Sequence, residues 1–193
     1  MNVHLIIDHP WPGSFNYAVL HAFTAGLQDA GHSTDALDLN QDRFNPVISE
    51  AELAGYSQGV SLDPKIKSYQ QRLSACDHLV LIFPIWWNVM PARLKGWMDK
   101  VLLPGFAFTT DQVPQPLLGH IKGATVLTTT GTPDAYHHET YHDALKWVLC
   151  TGTLEFCGIQ PVNWLNFGDT GFAERAKHEE WLQFVRSYAA NLA

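Results

Sequence analysis

Three short stretches concentrate the groups that could do chemistry. His9-Pro10-Trp11-Pro12-Gly13-Ser14-Phe15-Asn16 is a polar loop running into a helical pattern. Such a loop can bind a phosphate through free backbone N–H groups and the positive end of the helix dipole. It carries neither a Walker motif nor G-x-G-x-x-G, and an ordinary capped helix start explains its residues equally well. Phe83-Pro84-Ile85-Trp86-Trp87-Asn88-Val89-Met90-Pro91 sets two adjacent tryptophans ahead of a proline. An aromatic wall with exposed backbone amides suits a flat heteroaromatic ring, while core or interface packing is the plainer explanation. The third stretch runs from Thr128 to His142. Thr129, Thr130 and Gly131 offer hydroxyls and close backbone approach, Tyr136 and the histidines offer protons, and His137, His138 and His142 admit a metal. No H-E-x-x-H accompanies those histidines, so a metal hydrolase is a weak reading, no metal is expected, and a solvated loop also accounts for them.

These stretches fall between elements that alternate along the chain. Val3–Asp8 reads as a buried strand. A helix follows from about Asn16 to Ala30, with Ser14 as N-cap and Gly31 as terminator. Thr34–Leu39 is a second strand, and Arg43–Ser61 a long irregular connection with one helical turn. Asp63-Pro64 opens a helix to about Ala75, Asp77–Phe83 is the third strand, and Pro91 starts a helix to about Leu102. Gly105–Lys122 reads as loop and Ala124–Thr130 as the fourth strand. Tyr141 to about Glu155 is expected helical, with His142 at its start. Ile159–Phe167 is a fifth strand, confined to a sheet edge by Pro161, and Phe172–Asn191 a closing helix. Five strands alternating with helices predict an α/β fold with a parallel sheet covered by helices on both faces. In such sheets ligands sit at the strands' carboxyl ends, which is where all three stretches lie.

Bulk properties narrow the function. The 193 residues are 46% hydrophobic with seven Trp and ten Phe, ample for one packed domain over 1–193. A net charge of −7 offers nucleic acid and anionic membranes no general attraction. Three cysteines, Cys76, Cys150 and Cys157, are odd in number and lack zinc-site spacing, so they read as reduced and buried. No apolar run approaches the roughly 20 residues of a membrane span, and the first strand does not resemble a signal peptide. A cytoplasmic protein without membrane insertion is the expectation.

Read together, the motifs resemble the flavodoxin-like NAD(P)H:quinone oxidoreductases, the DT-diaphorase family and its small bacterial relatives. The stretches that carry the resemblance are H-P-W-P-G-S-F-N from His9, R-F-N-P-V-I-S from Arg43 and F-P-I-W-W-N-V-M-P-A-R-L-K-G-W-M-D-K-V from Phe83. G-F-A-F at Gly105, T-T-G at Thr129 and F-C-G at Phe156 follow in order. The resemblance implies a flavodoxin-like fold, FAD with FMN as the alternative, NAD(P)H as co-substrate, hydride transfer to a quinone, and a homodimer. It implies that His9, Ser14, Phe15 and Asn16 line the phosphate and ribityl end and that Gln70 contacts the flavin. Pro84, Ile85, Trp86, Trp87 and Asn88 would bracket the isoalloxazine, and Thr129, Thr130 and Gly131 complete its pocket. Tyr136 and His142 keep the family's Tyr-x5-His spacing and would meet the negative charge developing on the ring. The chain resembles the short members, without the C-terminal extension, and Thr109-Thr110-Asp111-Gln112 lacks the tyrosines that face the quinone in the long ones. An FMN-dependent azoreductase or nitroreductase-type enzyme, or a flavin-binding regulatory subunit of a potassium-efflux system, are the alternatives.

Overall fold

A computed structural model describes residues 1–192; Ala193, the last residue of the expected domain, lies outside the described residues. Five strands form one parallel sheet in the order β2-β1-β3-β4-β5: β1 (Asn2–Ile7), β2 (Ser33–Asp38), β3 (His78–Pro84), β4 (Ala124–Thr129) and β5 (Val162–Phe167). The inner strands are near-continuous apolar runs because both faces are covered. β3 is buried along all seven residues, and its polar His78 is tolerated because Nε2 meets Thr125 Oγ1 at 2.9 Å; burial pushes that imidazole's pKa down to about 4.

Helices α1 (Phe15–Asp29) and α6 (Arg175–Ala190) cover one face. They approach so closely that a Cβ on Gly26 would lie 2.1 Å from the Arg186 carbonyl oxygen. Phe23, Leu27, Val80, Ile82 and Val185 fill that core. The other face is covered by α3 (Pro64–Ser74), α4 (Ala92–Val101) and a π-helix (Lys146–Glu155), over Phe83, Leu94, Trp97, Leu149 and Leu154. Each such side chain contributes about 1.5–3 kcal/mol when removed from water. Cys76, Cys150 and Cys157 are free and buried in this layer; burial raises their thiol pKa values to about 12, 11 and 11.

The connection from Arg43 to Ser61 is more ordered than the single turn expected of it. Ser49 and Glu52 form a reciprocal capping box that starts α2 (Glu50–Ala54), and a 3₁₀ turn follows at Tyr56–Gln58. The segment is anchored to α4 by the buried Lys100 ammonium, 3.0 Å from Glu52 and 3.6 Å from Asp63. Several boundaries move: β1 runs Asn2–Ile7 and β2 Ser33–Asp38, each one residue earlier than expected, β5 begins only at Val162, after Pro161, and the closing helix begins at Arg175 and not at Phe172. β5 is the edge of the sheet, as expected, although Pro161 lies just ahead of it and not within it. The expected loop after β4 contains a helix, α5 (Asp134–Glu139), started by Pro133. His142 does not begin a helix. It and Asp143 have φ of 48° and 57°, a left-handed kink that separates α5 from the π-helix.

Candidate active site

The strand order reverses direction at β1, which lies between β2 and β3. The helix after β1 covers one face and the helix after β3 the other, so the chain parts at the carboxyl ends of these two strands, the place where open α/β sheets bind their ligands.

Asp8 follows β1 at this switch point and is buried. Its carboxylate accepts the Leu94 N–H at 2.8 Å, capping α4 near its positive end. Burial raises the Asp8 pKa, and the hydrogen bond from Leu94 opposes that shift without cancelling it. The loop that follows folds on itself. His9 Nδ1 accepts the Trp11 N–H at 3.1 Å, and the Ser14 N–H reaches the Trp11 carbonyl at 3.1 Å. Burial lowers the His9 pKa. Ser14 occupies the N-cap position of α1, yet its hydroxyl makes no capping bond, and no acidic side chain lies in the first turn. The Ser14 hydroxyl and the Asn16 side-chain carbonyl oxygen are both buried without a hydrogen-bond partner among the described residues. The amide of Asn16 is held, donating to Thr129 Oγ1 at 2.9 Å, which ties α1 to the end of β4.

Beyond β3 the ladder continues for one residue, as Ile85 N–H bonds the Thr129 carbonyl at 2.9 Å. The chain then reverses in a two-residue turn closed by Trp86 N–H to Val89 O at 2.9 Å and the return bond at 3.1 Å. Trp87 and Asn88 at its tip have φ of 50° and 64°. Two positive φ values are the requirement of a type I′ turn, where Asn and Gly are usual and Trp is not. The turn projects Trp87 until it is 97% exposed, while Trp86 is 46% exposed. Trp86 lies 6.1 Å from the His9 ring between centroids, so the β1 and β3 loops meet.

After β4, Thr130 spends its hydroxyl on the Thr132 carbonyl at 2.8 Å, and its own carbonyl accepts from Thr170. The space around Gly131 on its side-chain side is open. Tyr136 projects from α5, half exposed, with the Tyr141 ring 6.1 Å away. His137, one residue on, is buried edge-on against Trp164 and Tyr141, its Nε2 unpartnered and its pKa lowered by burial. His138 lies between Asp134 (3.4 Å) and Asp143 (2.6 Å). His142 is exposed and makes no hydrogen bond among the described residues.

The structure thus gathers His9, Ser14, Asn16, Ile85, Trp86 and Thr129 into one linked group, with Pro84, Trp87, Asn88, Thr130, Gly131 and Tyr136 on the same strand-end loops. Two expected contacts stand apart. The Gln70 amide donates to the Val101 carbonyl at 3.1 Å, at the far end of α4 from the switch point, and so braces α3 against α4. The Phe15 ring is stacked 4.6 Å from His178 and packed on Phe167 and Trp181; only its backbone remains for the site. Asp8 was missed, although a carboxylate ending a strand just before a loop of free N–H groups is a readable signal.

The family model described as a flavodoxin-like fold matches residues 1–192. The chain is 30% identical over 179 residues to a protein from Rattus norvegicus named NAD(P)H dehydrogenase [quinone] 1, covering 82% of this chain and 65% of that protein, so it spans under two thirds of that relative's length. An uncharacterized NAD(P)H oxidoreductase from Haemophilus influenzae is 30% identical, with 88% of this chain and 84% of that one aligned. Among solved structures, the NAD(P)H:quinone oxidoreductase from Methanothermobacter marburgensis superposes with a TM-score of 0.93 at 28% identity, covering 100% of this chain and 99% of that one.

Proposed function

The chain belongs to the flavodoxin-like fold family, and from that premise we propose that it is a flavin-dependent NAD(P)H:quinone oxidoreductase. The observation that carries the reading is the uncovered start of α1. A buried hydroxyl and a buried amide carbonyl without partners are costly, about 1–3 kcal/mol each, unless a ligand completes them. Beside an N-terminus bearing no carboxylate, the ligand those groups suit carries phosphate and hydroxyls.

FAD, with FMN as the alternative, fits these residues. Ser14, Asn16 and the amides of the first turn of α1 would hold the phosphate and ribityl chain. Ile85, Trp86, Trp87, Asn88, Thr129, Thr130 and Gly131 would bound the ring. A bound flavin supplies the hydride chemistry, taking two electrons from NAD(P)H and passing them to a quinone or similar small acceptor. The protein's part is to orient and to balance charge. Tyr136 presents a half-exposed phenol that can donate a hydrogen bond where negative charge gathers. His142, exposed on its left-handed kink, would bring an imidazole to the same task.

The assembly that suits this reading is a homodimer. Val148 on the π-helix and Phe156 just after it, 62% and 44% exposed, line one hollow with Tyr56, Met90 and Phe108, an apolar surface of the kind that interfaces cover. A cytoplasmic site of action fits the three free thiols, and among the described residues no helix is long and apolar enough to cross a membrane.

The decisive experiment is the absorbance spectrum of the purified chain with mass identification of any released flavin, followed by NAD(P)H oxidation with a quinone and with an azo dye. A yellow protein turning over quinone faster than azo dye is expected. A colourless protein that takes up neither FAD nor FMN would overturn the reading.

A further inference from the structure

At the side of the sheet away from the switch point, the β5 edge is open. β5 joins β4 through alternate residues: the carbonyls of Pro161 and Phe167 accept from Ala124 and Thr130, and the register Ala124↔Val162, Val126↔Trp164, Thr128↔Asn166 fixes the rest. The N–H and C=O groups of Val162, Trp164 and Asn166 therefore point outward, and none has a partner among the described residues. Exposed edges are normally blunted by proline, by inward charge or by a bulge. Val162-Asn163-Trp164-Leu165-Asn166-Phe167 has none of these.

This edge lies at the bottom of a groove. Two cavities of about 280 and 340 Å³ run along it, sharing His138, Trp164 and Leu165. One wall is aromatic, formed by Trp181, Phe184 and Tyr188 of α6, with Phe184 49% exposed. The opposite wall is polar and carries Asp134, His138, Asp143 and Lys146, two carboxylates against one ammonium.

We propose that this groove binds an extended peptide as a sixth strand of the sheet, and that the peptide alternates apolar with basic side chains. Three outward N–H groups and three outward carbonyls fix the occupant's backbone as a strand. A strand sends successive side chains to opposite faces. Here one face meets the aromatic rings of α6, and the other meets Asp134 and Asp143. A second copy of the chain is a poorer occupant, because its own β5 lies recessed between the same two walls. The proposal is independent of the flavin reading, since the residues that form the groove are not those that would hold the flavin.

The test uses the full chain and three peptides of six residues: one alternating valine and arginine, its valine–glutamate counterpart, and the valine–arginine peptide N-methylated at alternate amides. Binding is followed by tryptophan fluorescence and by amide NMR shifts. The arginine peptide is expected to saturate, shifting the amides of Val162, Trp164 and Asn166. The glutamate peptide and the N-methylated peptide whose blocked amides face β5 should each bind at least about ten-fold more weakly. The double variant Asp134→Lys, Asp143→Lys should reverse the charge preference. The idea fails if the arginine peptide does not saturate, if charge or N-methylation makes no difference, or if the edge amides prove to be buried in a dimer of the chain.

Discussion

Two helices begin at the same end of the sheet and are finished in opposite ways. α4 receives an internal carboxylate: Asp8, from the neighbouring strand, takes the Leu94 N–H at 2.8 Å. α1 has Ser14 in the capping position, but its hydroxyl caps nothing, and its first turn holds no acidic residue. Both helices present the same partial positive charge. A carboxylate within the chain closes one terminus; the other keeps its charge, with two buried polar atoms waiting beside it. The difference is between a helix start completed by the fold itself and one whose buried polar atoms are left for the ligand proposed above.

Supplying α1 with a carboxylate of its own should break the contrast most strongly. Asn16→Asp puts negative charge where phosphate is proposed to sit and replaces the amide that donates to Thr129. Flavin affinity should fall by roughly 100-fold, about 2.7 kcal/mol, read by fluorescence titration of the apoprotein; an unchanged affinity would mean that α1 does not hold the cofactor.

Opening α4 is the converse. Asp8→Ala leaves the Leu94 N–H buried and bare and should cost about 1–2 kcal/mol in urea unfolding, whereas Asp8→Asn keeps an acceptor and should cost less. The two proteins should also differ in pH dependence. Because burial raises the Asp8 pKa, the folded state holds the proton more tightly than the unfolded chain. Between the ordinary carboxylate range and the raised value, stability from this group falls as pH rises and returns on acidification. Wild type should therefore gain on Asp8→Asn as the pH is lowered through that window, and a flat difference would show that Asp8 does not titrate there.

A third change sharpens the comparison by leaving both termini intact. Tyr136→Phe removes only the phenol hydroxyl of α5. Flavin reduction by NADPH, followed by stopped flow, should slow about ten-fold while flavin affinity holds. His142→Ala should act in the same direction, and if neither variant is slower, the proton chemistry lies elsewhere, with the buried His137 next in line. The smallest effect belongs to the Trp86–Val89 turn. Trp87→Gly relieves a left-handed residue and should stabilise the fold by roughly 1 kcal/mol, while loosening flavin retention; thermal unfolding and dialysis would show whether both occur.

Much of this was legible in the residues. Apolar runs at Val3, Leu79 and Val126 marked the inner strands, Pro161 marked an edge, and the three strand-end loops converge as their positions required. What could not be read came from contacts distant in sequence. Asp8 is bonded to a residue 86 positions away. The Phe15 ring turns from the switch point because α6 supplies His178 and Trp181 to stack on it. Gln70 is committed by the carbonyl that α4 leaves exposed at Val101. α5 was hidden because Thr, Gly and Pro before it read as loop, and a six-residue helix is too short to show a clear period. The kink at His142 needs positive φ at two residues that ordinarily avoid it.

The three thiols turn the fold into a clock for its own opening. Each is buried, and each has a raised pKa, so almost no thiolate is present at neutral pH and none is in reach of reagent. All three belong to the layer under α3, α4 and the π-helix. Their alkylation in native buffer can proceed only as fast as that layer opens, so the labelling rate of each cysteine reports how often its own part of the layer lets water in.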